Sequence, residues 1–127
     1  MGNFSSHFII DNTRSDYDLH YVTRDNSGGH WRTDPVEVIP KGKAVRQDLN
    51  DNGSGGSAGE MVYKYTYDVD VTTYIKFYAA DPLIGENTAE TYTGNDGKHW
   101  SKDDAIDVEY NVDGHPLNAT WILKLHG

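Results

Sequence analysis

Apolar and polar residues alternate along several separate stretches of this chain, and no window of it carries a helical period. The clearest case is Met61, Tyr63, Tyr65 and Tyr67 alternating with Val62, Lys64, Thr66 and Asp68. It is followed by Thr73, Ile75, Phe77 and Ala79 alternating with Tyr74, Lys76 and Tyr78. A period of two marks a strand with one face buried, and Asp68-Val69-Asp70 between the runs predicts the bend of an antiparallel hairpin. Phe8-Ile9-Ile10, closed by Asp11-Asn12, predicts an opening strand, and Tyr17, Leu19 and Tyr21 alternate with Asp18, His20 and Val22 in a second. Ile106, Val108, Tyr110 and Val112 repeat the pattern before Asp113-Gly114, and a final strand is expected from Ala119 to Leu125.

Turn signals separate these runs. Asp25-Asn26-Ser27-Gly28-Gly29 predicts a break, since Gly tolerates positive φ while Asn and Asp bond their own backbone. Pro40-Lys41-Gly42-Lys43 predicts a tight turn between the short strands Val36–Ile39 and Ala44–Gln47, and Asn95-Asp96-Gly97 follows a short strand at Thr91-Tyr92-Thr93. Asp48 to Gly59, rich in glycine, reads as a mobile surface loop, and Asp81-Pro82-Leu83-Ile84-Gly85-Glu86-Asn87 as another loop. Ser101-Lys102-Asp103-Asp104 could start a helical turn, which the β alternation after it stops. The expectation is an all-β protein, an antiparallel β-sandwich of about eight to nine short strands.

Composition narrows the function. A chain of 127 residues suits one domain, 1–127. Its nine Tyr, three Trp and three Phe mean that much of the burial is carried by flat rings suited to pleated surfaces. A net charge of −9 opposes the electrostatic attraction that dominates nucleic-acid binding, and it repels strongly anionic lipid. A membrane target would therefore present a zwitterionic headgroup, a glycan or a protein receptor. With no cysteine, neither disulfides nor thiolate chemistry contribute. The first residues lack a basic stretch followed by an apolar run, which predicts a product made in the cytoplasm without a secretory leader, and no apolar run is long enough to span a bilayer. Gly2 followed by Ser6 matches a myristoylation pattern only superficially.

Catalytic and metal constellations are weak. Asp48-Leu49-Asn50-Asp51-Asn52-Gly53 begins like a calcium loop, but its twelfth position is Gly59 rather than Glu and its flanks read as strands, so an ordinary polar loop is the expectation. Asp16, Asp18 and Asp25, and separately Asp103, Asp104 and Asp107, suggest acid pairs by proximity alone. No Gly-x-Ser-x-Gly elbow supports a nucleophile, and His7, His20, His30, His99, His115 and His126 have no metal-ligand spacing. The sequons at Asn3, Asn52 and Asn118 read as incidental matches. No enzyme, cofactor or metal is expected.

Trp121 lies inside the last expected strand and reads as core. Trp31 and Trp100 each follow a histidine beside a turn, where an indole either caps the end of the core or lies at a membrane headgroup interface. Exposed Trp and Tyr beside Asp and Asn equally suit sugar stacking, so a carbohydrate-binding, lectin-like sandwich is the alternative to a membrane-binding one.

Gly28-Gly29-His30-Trp31-Arg32-Thr33-Asp34-Pro35 resembles the Gly-Gly-x-Trp-Arg-Thr-x-Pro stretch of the small aegerolysin-like insecticidal proteins of Bacillus. The order around it is similar as well. Phe8-Ile9-Ile10-Asp11-Asn12 precedes it, Gly59-Glu60-Met61-Val62-Tyr63 follows the glycine-rich segment, and Ile75-Lys76-Phe77-Tyr78 leads to the Pro82–Asn87 loop. The resemblance covers nearly the whole chain and is weakest after Asn87. It implies an aegerolysin sandwich without enzymatic activity, binding membrane lipid, notably sphingolipid, or a cell-surface receptor. It further implies one component of a two-component pore-forming insecticidal toxin working with a larger pore-forming partner, with homo-oligomerisation left open. Mushroom members carry a Trp in the loop matching Pro82–Gly85, where this chain has Leu83 and Ile84, two aliphatics suited to shallow insertion. The expected ligand-binding residues are Trp31, Leu83, Ile84 and Trp100.

Overall fold

A computed structural model describes residues 3–51, 53 and 55–126. Gly2 of the myristoylation pattern, Asn52 of the calcium-like segment and the second sequon, and Ser54 lie outside the described residues.

Eleven strands form two packed sheets, with no helix among the described residues. They are β1 (Ser6–Asp11), β2 (Leu19–Gly28), β3 (His30–Trp31), β4 (Val38–Ile39), β5 (Ala44–Asn50), β6 (Ser57–Asp68), β7 (Val71–Asp81), β8 (Thr88–Gly94), β9 (Ser101–Lys102), β10 (Asp107–Tyr110) and β11 (Leu117–Ile122). A five-stranded sheet runs β10-β11-β1-β5-β3 and a six-stranded sheet runs β4-β2-β6-β7-β8-β9. All neighbours are antiparallel except β1 and β11, which pair in parallel from Ser6↔Leu117 to Asp11↔Ile122. The expected sandwich is present, with three two-residue strands at its margins raising the count.

The alternation places one side chain in two inside. Phe8 and Ile10 of β1, Met61 and Tyr63 of β6, Ile75, Phe77 and Ala79 of β7, and Leu117, Ala119 and Trp121 of β11 meet in one buried cluster. Trp121 stacks on Phe8 with centroids 5.4 Å apart and meets Phe77 edge-on at 5.5 Å, joining the two sheets through rings. Its Nε1 donates to the Glu90 carbonyl of β8 at 3.3 Å.

Two expectations are corrected. The break at Asp25–Gly29 is largely strand: β2 continues to Gly28, paired with β6 from Glu60 to Ala58, and a register shift between Asn26 and Gly28 absorbs the irregularity. Only Gly29, at φ 84°, turns the chain, and a Cβ there would stand 2.5 Å from the Asn50 carbonyl oxygen. The surface loop expected from Asp48 to Gly59 loses both its ends to strands, because Leu49 is fully buried in β5, which runs to Asn50, and Ser57 and Gly59 are buried in β6. Its many glycines mislead here: Gly59 is small because Leu49 and Trp31 press against it.

One polar knot lies inside. The Tyr63 hydroxyl donates to the Val36 carbonyl at 2.6 Å and accepts from Gln47 Nε2 at 2.9 Å, while Gln47 Oε1 accepts from Val36 N at 3.2 Å. Burial pushes the Tyr63 phenol up to about 12. A phenol raised in the folded state stabilises the fold fully below its unfolded value near ~10, and that contribution disappears as pH rises toward the folded value. Denaturant midpoints taken at increasing alkalinity across that window are expected to fall more steeply for the wild type than for Tyr63→Phe. Parallel declines would contradict the assignment.

Candidate functional site

Leu83 and Ile84 sit in the loop joining β7 to β8, at the end of the sandwich that also carries Gly55, Gly56 and segment 111–116. They are among the most exposed large apolar side chains, at 57% and 88%. The loop is braced. Asn87, itself buried, donates from Nδ2 to the carbonyls of Asn111 and Gly114, each at 2.8 Å, and its backbone N–H bonds the Val112 carbonyl at 2.9 Å. Leu83 rests against Gly55, where an added Cβ would stand 2.9 Å from Leu83 Cδ1. These bonds bring Val112, 41% exposed, into the same end. Sequence reasoning missed Val112, because only the Asn87 bridge reveals its proximity.

Beneath this loop lies a buried carboxylate. Asp81, the last residue of β7, accepts the Leu117 N–H at 3.1 Å and bonds His115 Nδ1, and the Phe4 ring lies 4.2 Å from the His115 ring. Burial raises the Asp81 carboxyl above its ordinary range, against the lowering influence of His115. This clasp fixes the β10–β11 connection to the end of β7, so the apolar tip rests on a fixed base.

Another exposed apolar tip is at the opposite end, where Val69 caps the β6–β7 hairpin at 89% exposure. Val69 lies between Asp68 and Asp70, with Tyr67 and Val71 beyond them 46% and 40% exposed, whereas Leu83 and Ile84 are adjacent and flanked by Pro82 and Gly85. A carboxylate on each side opposes insertion into an apolar interface, so the two ends differ in kind.

The structure does not gather the four expected ligand-binding residues. Trp31, in edge strand β3, leans inward on Phe8 with centroids 5.3 Å apart, and the Arg24 guanidinium covers its ring at 4.6 Å. Trp100 follows the turn after β8 and lies on the outer face of the six-stranded sheet, with Lys76 Nζ 4.5 Å from its ring centroid. There it borders an open depression of about 450 Å³ lined by Glu60, Lys76, Tyr78, Glu90, Tyr92 and Trp100.

The suspected acid pairs are engaged separately. Asp16 bonds His126 at 2.8 Å, Asp18 accepts from Lys41 N at 2.9 Å, and Asp103 accepts from Thr93 Oγ1 and Ala105 N. Asp48 of the calcium-like segment is taken by Arg46 Nε at 2.8 Å and His7 at 2.7 Å, while its neighbour Leu49 points into the core. Burial pushes the Asp48 carboxyl up, yet Arg46 and His7 outweigh it and hold it below the usual range. Asp96, gripped by His99 and by the backbone N–H groups of His99 and Lys98, is likewise held well below the usual carboxylate range. No group of three His, Asp or Glu converges for a metal among the described residues, and no helix among them is long and apolar enough to cross a membrane.

Among solved structures, the chain is similar to the crystal structure of lipid binding protein Nakanori, with a TM-score of 0.73 over 96% of this chain and 71% of that one, at 12% identity. At that identity the likeness is one of fold. No protein-family model matches the chain, and no curated protein matches it.

Proposed function

We propose that the chain is a non-enzymatic protein that recognises membrane lipid, and that it meets the membrane with the end of the sandwich carrying Leu83 and Ile84. The observation that carries this reading is the braced, outward-pointing Leu83-Ile84 pair. Aliphatic side chains left in water on a fixed loop gain about 1.5–3 kcal/mol each when buried, and a fixed loop loses little entropy on docking. Val112 extends the apolar patch, while Glu86 and Asp113 at the same end disfavour anionic lipid. A zwitterionic headgroup is the target this charge pattern favours, and the aegerolysin-like order of motifs supports a sphingolipid. The fold shared with a lipid binding protein supports the broader reading. In the finer form of the proposal, the chain is the recognition half of a two-component pore-forming insecticidal toxin, and a larger partner forms the pore.

Liposome flotation tests this. The wild type is expected to float with sphingomyelin-containing or ceramide-phosphoethanolamine-containing vesicles and less with phosphatidylserine vesicles. Leu83→Asp and Ile84→Asp are each expected to weaken binding at least about tenfold, a loss of ~1.4 kcal/mol, with unchanged far-ultraviolet circular dichroism. Trp31→Ala and Trp100→Ala belong in the same series, since loss of binding in either would extend the contact surface. Wild-type protein that floats with none of these vesicles would sink the reading, and equal binding by both aspartate variants would move it off this loop.

A further inference from the structure

We propose that the outer face of the six-stranded sheet is a binding groove for a neutral oligosaccharide, distinct from the apolar loop end and independent of the lipid reading. Strand register builds it. Tyr78 of β7 lies between Glu60 of β6 and Glu90 of β8, and two residues along β7, Lys76 lies between Val62 and Tyr92. One half-buried ring is thus flanked by a carboxylate on each side, and the next row supplies an ammonium and a second ring. Trp100 closes one side of the depression.

The groove is longer than a single sugar needs. A second recess of about 210 Å³, lined by Asp25, Asn26, Ser27, Gly59, Glu60 and Tyr78, shares Glu60 and Tyr78 with the first. Together they run across β2, β6, β7 and β8, with Tyr78 at the junction. A pyranose ring has an apolar C–H face and a rim of hydroxyls. Tyr78 and Tyr92 offer ring surface to the face, while Glu60, Glu90, Asn26, Ser27 and Lys76 offer acceptors and donors to the rim.

Charge argues for a neutral ligand. In a chain of net charge −9, this face is nearly balanced: Lys76 Nζ is 3.3 Å from Glu60 Oε2 and Lys102 Nζ is 3.4 Å from Glu90 Oε2, and Asp25 of the second recess is left without an ion pair among the described residues. An anion would meet three carboxylates, and a cation would compete with two lysines already in place. The same contacts hold the groove in shape before any ligand arrives. Lys76 is fixed over the Trp100 ring, and the Tyr92 hydroxyl donates to Glu90 at 3.1 Å. Unlike the Leu83 loop, the groove presents rings and paired charges rather than free aliphatics, so it suits hydroxyl-rich surface better than acyl chains.

The test is an NMR titration of the isotope-labelled full chain with cellohexaose, laminarihexaose, mannohexaose, chitohexaose and lacto-N-neotetraose, and with heparin tetrasaccharide and phosphocholine as charged probes. At least one neutral sugar is expected to shift the Trp100 indole signal together with amides around Tyr78. Tyr78→Ala, whose ring faces outward, is expected to weaken that binding about tenfold while melting at the wild-type temperature, and Glu90→Gln is expected to weaken it less. Failure of every neutral sugar to shift these signals overturns the proposal. So does a response confined to the charged probes, or sugar binding that survives Tyr78→Ala unchanged.

Discussion

Truncating Trp121 to alanine is expected to cost the fold about 4 kcal/mol, near the middle of the range for deleting a fully buried large ring. Trp121 is wholly buried in β11, stacked on Phe8 of its own sheet and edge-on to Phe77 of the other. Its removal therefore opens a cavity where the sheets meet and also removes the hydrogen bond from its Nε1 to the Glu90 carbonyl. Since a domain of this size is stable by only ~5–15 kcal/mol, the variant should melt roughly 15 °C lower. Trp121→Phe refills most of the space and should recover more than half of the loss. Calorimetry or urea unfolding decides, and a cost below about 1 kcal/mol for the alanine would show that the rings are not the main bond between the sheets.

The second large effect is expected at Asp81. Replacing it with alanine leaves the Leu117 N–H with only the Ser5 carbonyl, at 3.0 Å, and takes away the partner of His115, at an expected cost of about 2 kcal/mol. Asp81→Asn keeps an oxygen for Leu117 and gives His115 a neutral donor, so it should remain close to the wild type. The pH dependence has a definite sign. A carboxyl whose folded value is raised takes up its proton more readily in the native state, so its contribution to stability is greatest at low pH and declines as pH rises through the folded value. The stability of the wild type relative to Asp81→Asn should therefore fall from acid toward neutral pH in urea titrations. A rise over that window would mean that His115, not burial, governs the carboxyl. Because this clasp underlies the Leu83 loop, Asp81→Ala should also reduce liposome binding below what its loss of stability explains.

Much of the fold is legible in the alternation. The β6–β7 hairpin with its bend at Val69-Asp70, the opening strand around Phe8, and Trp121 as core all follow from period-two burial. The misreadings share a cause. Between Asp25 and Gly28, and again at Asp48–Asn50 and Ser57–Gly59, turn-forming residues sit in strands because a partner strand supplies the ladder and a bulge in β2 absorbs the irregularity, neither of which is local information. Alternation also cannot distinguish a parallel neighbour from an antiparallel one, so the β1–β11 pairing had no signature in the sequence.

The candidate sites divide in the same way. Leu83 and Ile84 stand out as two aliphatics between a proline and a glycine, a local anomaly that any reading of the chain can find. The groove around Tyr78 does not, because Glu60, Tyr78 and Glu90 are far apart in sequence and only register makes them neighbours. Trp100 is legible as a surface candidate from its place beside a turn, but its companions on the sheet face are not.

The parallel pairing of β1 with β11 also bears on how the chain is made. During translation, Ser6–Asp11 leaves the ribosome well before Leu117–Ile122, and one of its two edges has no partner until that later strand has emerged. Until then an apolar strand with unpaired backbone groups stands open to neighbouring nascent chains, so polysomes crowded with this message face a risk of intermolecular pairing. Ribosome stalling between β10 and β11 should accordingly yield insoluble fragments rather than a trimmed but soluble sandwich.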